Sequence, residues 1–217
     1  MQLTLPEIFS LTILLGAFIS AVRFRTADSS FLPFMILLWV GAANEVLSIT
    51  LMSYGSHTAV NNNIYVLLEA LLILWFFRRS DAALKNTYVF IALLGACTLF
   101  WIIDTLFVFG IRQISSYFRI FYSFIIVLLS INAINYLLFA EKDSLLKSPT
   151  FLISVCFVVF FTYKILIEAF WIKGLNNSSH FRNNVYAILV YLNLLVNLVF
   201  ALVTLWIPRK QERSLLF

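Results

Sequence analysis

Residues 149–172 read PTFLISVCFVVFFTYKILIEAFWI, an apolar run broken only by Lys164 and Glu168. A helix rises about 1.5 Å per residue, so a run of this length crosses the roughly 30 Å hydrocarbon layer of a bilayer. Working outward from it, polar punctuation separates six further runs of similar character. The seven expected spans are 5–24, 33–54, 61–77, 87–109, 117–140, 149–172 and 184–207. The third is the shortest. Connections of about 6 to 12 residues leave no room between them for a soluble domain, so the chain reads as one all-α polytopic membrane domain, 1–217.

Composition agrees. Of 217 residues, 62% are hydrophobic and 12% charged, against roughly 45–50% and 25% in soluble domains. Twenty-three Phe stand against 6 Gly and 4 Pro, and the mean hydropathy is +0.97. That apolar content exceeds what one core of this size can hide, which excludes a soluble globule; disordered and fibrous chains are excluded with it. Cys97 and Cys156 each fall inside an apolar run, where they read as small buried hydrophobes rather than a disulfide framework. The first span opens on Thr4-Leu5-Pro6-Glu7, a capping box with proline in the first turn. No Lys or Arg precedes it, so it reads as a retained helix and not a cleaved signal peptide.

The net charge of +5 is explained by location, because most of the basic residues sit in connections. One side carries Arg23, Arg25, Arg78, Arg79, Lys85, Lys142, Lys147, Arg209, Lys210 and Arg213; the other carries Arg112, Arg119, Lys173 and Arg182. Cytoplasmic loops are enriched in Lys and Arg, so the expected N-terminus is outside and the C-terminus cytoplasmic, in a cell inner or plasma membrane. The surrounding bilayer is the first partner implied. Nucleic acid is not expected as one.

An acid late in one helix is followed by a Tyr early in the next in three places. These are Glu45 with Asn63-Ile64-Tyr65, Asp104 with Arg119 to Tyr122, and Glu168 with Asn184-Val185-Tyr186. The pattern suggests three related helical hairpins plus one extra helix. An alternative groups spans one to three and five to seven around a linker span. It would resemble the arrangement of small sugar transporters, although their Pro-Gln signature is absent here.

Charge inside a span is costly, so each instance marks a candidate functional residue. Glu45, Glu69, Asp104, Lys164 and Glu168 all fall in the outer halves of their spans, about 6 to 14 Å below the outer ends. Tyr65, Tyr122 and Tyr186 lie nearer the mouth, and Asn193 is about as deep as Glu45. Asn44, Glu45 and Ser48 share one face of their span, while Tyr65 with Glu69 and Lys164 with Glu168 are pairs at i and i+4. The inner halves of several spans, such as 71–77 and 151–161, carry no charge. A pocket open to the outside and closed below is expected, with Glu45, Glu69, Asp104, Lys164, Glu168, Asn44, Tyr65, Tyr122, Tyr186 and Asn193 as its ligand-binding residues. The competing reading is that these groups bond one another to glue helices together. Asn132, Asn135 and Tyr136, near the inner end, read as helix packing.

Several chemistries are set aside. His57 and His180 both lie in loops, so paired helix histidines for haem and a three-histidine zinc site are absent. The last span holds no lysine for a retinal Schiff base, and no GxSxG, HExxH or phosphate-cradling loop occurs. No cofactor or metal is expected, and no catalytic residue is identified. Three functions remain. The first is a ligand-binding or sensory subunit for a small cationic or polar ligand, acting through a membrane or cytoplasmic signalling partner. The second is a transporter of a cation or small polar solute. The third is a membrane-embedded enzyme using carboxylates as acid and base on a lipid headgroup.

Overall fold

A computed structural model describes residues 5–80, 84–140, 145–172 and 179–210, excepting the side chains of 5, 6, 140, 179–184 and 186. Every element described is helical. In chain order they are α1 (Leu5–Ser10), α2 (Ile13–Arg23), α3 (Leu32–Ser53), α4 (Ala59–Arg79), α5 (Thr87–Ile102), α6 (Ser116–Ala140), α7 (Pro149–Ile172) and α8 (Ser179–Trp206). A wider turn over Ile103–Val108 prolongs α5, and short 3-10 turns precede α3 and α7. Six helices, α3 to α8, are long and apolar enough to cross a membrane. The protein is therefore an all-helical membrane protein.

The first expected span is not one helix. It breaks at Leu11 and Thr12 into α1 and α2, because hydroxyls there compete for backbone carbonyls. Ser10 Oγ donates to the Glu7 carbonyl at 3.0 Å and Thr12 Oγ1 to the Phe9 carbonyl at 2.6 Å. Asn197 of α8 then donates to Thr12 Oγ1 at 3.3 Å, holding the break against its neighbour. The Thr4 cap expected at its start lies outside the described residues.

The helices form a ring in which α2, α3, α4, α6, α7 and α8 each pack on the next, and α8 closes on α2. α5 stands outside the ring against α4 and α6. Its sequence is apolar all round, with Ile91 59% and Leu99 60% exposed, as suits a helix that meets lipid over most of its surface. Of the expected hairpins, α3 packs on α4 and α7 on α8, whereas α6 packs chiefly on α7 and touches α5 little. α5 lies between α4 and α6 in sequence and is peripheral in space.

One end of the bundle is tied by basic side chains on carbonyls that helix ends leave unpaired. Arg23 donates to the carbonyls of Thr204 at 2.9 Å and Ile207 at 2.8 Å, and also to that of Leu205. Arg78 likewise holds Leu84 at 3.0 Å, the Lys85 carbonyl, and Thr87 Oγ1 at 2.9 Å. Ala27 and Arg209 pair as a short antiparallel bridge, so the α2–α3 connection and the segment after α8 share this basic end. Asp28 there caps Ser30 through a 2.7 Å bond from its amide, and hydrogen bonds from Ser30 hold the Asp28 carboxyl below its ordinary pKa. Tyr136 accepts a 3.4 Å bond from Lys85 at the same end.

Above the basic end the ring interior is packed with aromatic side chains. Phe34 and Phe157 meet the Phe200 ring with centroids 5.2 and 5.7 Å away, and Phe157 meets Phe161 at 5.8 Å. Phe34, Phe76 and Phe77 are fully buried. Offset and edge-on aromatic contacts of this kind add to the burial of large apolar areas. At the opposite end α3 stops on Gly55, whose φ of 69° is the left-handed conformation a helix terminus needs. The Ser56 and Gly55 amides close back on the Leu51 and Met52 carbonyls at 2.9 and 3.0 Å.

Candidate functional site

At the end of the ring away from Arg23 and Arg78, a cavity of about 310 Å³ opens between α1, α3, α4, α6, α7 and α8. Its lining includes Glu7, Ser10, Glu45, Tyr65, Glu69, Arg119, Lys164, Glu168 and Asn193, with Ile49, Met52, Phe160, Ile167, Leu189 and Val190 as apolar wall. A smaller pocket of about 70 Å³ continues beneath it toward Asn197, and Phe157, Phe161 and Phe200 line that floor.

Glu69 is the hub. It is 7% exposed, and its Oε1 accepts from the Tyr65 hydroxyl at 3.2 Å. Its Oε2 accepts from Tyr122 Oη at 2.5 Å and from Lys164 Nζ at 3.0 Å. Lys164 also donates to Tyr122 Oη at 2.5 Å, so tyrosine, lysine and carboxylate close a triangle. The Lys164 ammonium lies 5.1 to 5.7 Å from the ring centroids of Tyr122, Phe161 and Phe160. Cation–π attraction there supplements the single ion pair, which matters because an ammonium has left water to reach this depth.

The second pair lies one helical turn away. Arg119 Nη1 is 3.4 Å from Glu168 Oε1. Arg119 and Tyr122 are i and i+3 on α6, and Lys164 and Glu168 are i and i+4 on α7. On two antiparallel neighbours this spacing makes two rungs, Tyr122 on Lys164 and Arg119 on Glu168. The i, i+4 neighbours on α7 are thus not each other's partners: Lys164 goes to Glu69 of α4 and Glu168 to Arg119 of α6.

Sequence grouping and geometry differ at several residues. Glu45, Glu69, Tyr65, Lys164, Glu168 and Asn193 line the cavity. Tyr122 is fully buried behind it and reaches it through Glu69 and Lys164. Asp104 does not line it. The wide turn after α5 swings its buried side chain onto the start of α6, where Oδ2 accepts from the Phe118 amide at 2.8 Å. That is capping across a connection, favourable at a helix N-terminus on charge as well as hydrogen bonding. Asn44 instead receives Asn61 Nδ2 at 2.9 Å, and Ser48 receives the same group at 3.0 Å, so both join α3 to α4. The side chains of Tyr186 and His180 are outside what the structure describes.

Arg119, Glu7 and Ser10 line the cavity without having been singled out from sequence as its residues. Arg119 had been counted with an outer connection, although its place one turn before Tyr122 was the available signal. Glu7 and Ser10 belong to the broken first span, whose break no hydropathy average reveals. Among the described residues no three His, Cys, Asp or Glu side chains cluster closely enough to hold a metal ion. Fold and site together define a helical membrane protein with a polar, ion-paired cavity at one end of its bundle. No family model, curated protein or solved structure matches the chain.

Proposed function

We propose that the protein is a seven-crossing membrane protein, N-terminus outside and C-terminus cytoplasmic, whose cavity faces outward and binds a small cationic or polar ligand. α1 and α2 together make the first crossing, and the ligand state is passed to a partner protein. The observation that carries this reading is the blind shape of the site: a cavity of about 310 Å³ with converging polar groups above a floor of packed phenylalanine rings. A concave, largely preformed site with few polar groups in an apolar wall is what small-ligand binding uses. The paired ions fix its shape before any ligand arrives.

Two experiments test it. With Cys97 and Cys156 replaced, single cysteines at Ser56 and Asn177 should react with an impermeant thiol reagent from outside, while those at Asp81 and Ser144 should not. The reverse pattern overturns the orientation and the outward cavity together. A small-solute screen on protein in nanodiscs should then find a ligand that raises the melting temperature saturably, without counterflow of that ligand in proteoliposomes.

Counterflow would establish the second reading, a transporter of a cation or polar solute. Its support is the break between α1 and α2 beside Asn197, since discontinuous helices commonly form transporter sites. On that reading the phenylalanine floor must open, and bulk removed at Phe157 or Phe200 should change the counterflow rate.

A further inference from the structure

The charges of the cavity are not equivalent. Glu69 is held by Lys164, Tyr65 and Tyr122, and Glu168 by Arg119. Glu45 lies outside both pairs. Among the described residues its carboxylate has no ion pair with a basic side chain. It lines the same cavity as Ser10 and Asn193, below a wall built by Ile49, Met52, Ile167, Leu189 and Val190.

We infer that the cavity takes an organic ammonium ligand, a primary amine on a compact apolar body, with the ammonium on Glu45 and the body against that apolar wall. This rests on reading the cavity as a ligand site and names the chemistry the site selects. An ammonium brings three N–H donors. Glu45, Ser10 and Asn193 all line the cavity, and each carries an oxygen that can accept from one. A half-buried carboxylate also gains more from a charged donor than from a neutral one.

Other ligand classes fit less well. An anion would have to draw Lys164 from Glu69 or Arg119 from Glu168, and the rings of Tyr122, Phe160 and Phe161 already crowd the Lys164 ammonium. It would also add charge to a cavity where Glu45 already lacks a counter-ion. Calcium wants six to eight oxygens and magnesium a near-octahedral shell, whereas no three metal-binding side chains cluster among the described residues. A purely apolar guest would leave the Glu45 carboxylate desolvated without a partner, the costly arrangement in a low-dielectric site. The shared chemistry could come from a soluble amine or from the amino headgroup of a membrane lipid.

The test uses the full chain in phosphatidylcholine nanodiscs, with butylamine and phenethylamine as probes and butanol, butyrate, magnesium and calcium as comparators. The amines should raise the melting temperature saturably, as ligands of the folded state do, and the comparators should not. Glu45→Gln should weaken amine binding by about tenfold or more, the scale of one lost charge-assisted hydrogen bond. Glu45→Asp should retain much of it. Asp28→Asn, which removes an acid at the basic end, should leave it unchanged. Nanodiscs containing phosphatidylethanolamine separate the sources: a lipid-borne amine would raise the melting temperature without added probe and weaken butylamine binding. Saturable binding of butanol or butyrate in place of the amines would overturn the ammonium inference while leaving a ligand site. So would a divalent ion that binds through Glu45. If no probe binds in either membrane, the cavity reading falls together with the inference. Selectivity in the wild type decides the matter even should Glu45→Gln fail to fold.

Discussion

Lys164→Met is expected to lower the unfolding free energy by about 3–5 kcal/mol, the range for removing one partner of a buried ion pair. Methionine keeps an unbranched apolar chain against Phe160 and Phe161, so packing changes little. What changes is Glu69, 7% exposed and left with two tyrosine hydroxyls but no counter-charge. The double variant Lys164→Met, Glu69→Gln should recover more than half of the loss, because a neutral amide leaves no buried charge, accepts from one tyrosine hydroxyl through its oxygen and donates its NH2 to the other hydroxyl's oxygen. Lys164→Met, Glu168→Gln should recover nothing, since Glu168 has its own partner in Arg119. Unfolding of the purified protein in mixed detergent, followed by loss of helical signal, measures all three. Rescue by Glu168→Gln in place of Glu69→Gln would show that the assigned pairing is incorrect.

Asn63→Ala should cost about 2–4 kcal/mol without touching the cavity. Asn63 is fully buried. Its amide donates to the carbonyls of Ile111 at 3.1 Å and Gln113 at 2.6 Å, and its Oδ1 accepts from the Ser115 amide at 3.3 Å. One α4 side chain thus satisfies three backbone groups of the α5–α6 connection. Each such group left buried and unpaired costs about 1–3 kcal/mol, and partial hydration of a loop reduces the sum. Asn63→Asp keeps an acceptor for Ser115 but loses both donations, so it should be nearly as destabilising. Hydrogen exchange at residues 111–115 should speed up in both variants. Unchanged exchange there would show that the connection stands without Asn63.

Much of the molecule was legible because a bilayer imposes a local rule. Backbone groups in hydrocarbon must be satisfied within a helix, so length and apolarity alone mark a span. Residues 33–54, 87–109 and 149–172 accordingly sit on α3, on α5 with its wide turn, and on α7. The cost of charge in that medium likewise singled out Glu45, Glu69, Lys164 and Glu168, and the structure draws these four side chains to one cavity. Helical spacing placed Tyr65 and Glu69 on a common face, and they are bonded.

What resisted reading was everything that depends on which helix stands beside which. Lys164 and Glu168 look like partners along one helix, yet ring order puts α4 against one and α6 against the other. Asp104 carries the same intramembrane signal as Glu69, but the wide turn of Ile103–Val108 delivers it to the start of α6 as a cap. Arg119, near the start of the span 117–140, looks like a flanking cation until α6 is seen to bring it beside Glu168 of α7. The break at Leu11 and Thr12 is held against α8 by Asn197, 185 residues away. Sequence by itself determined the helical membrane class, the positions of six long apolar helices and the charged residues that lie within them, because hydrophobicity and helix spacing act over a few turns. Tertiary structure alone decided the ion pairs and the separateness of Glu45, because hydrogen bonds and ion pairs act over about 3 Å between helices whose neighbours no single helix specifies.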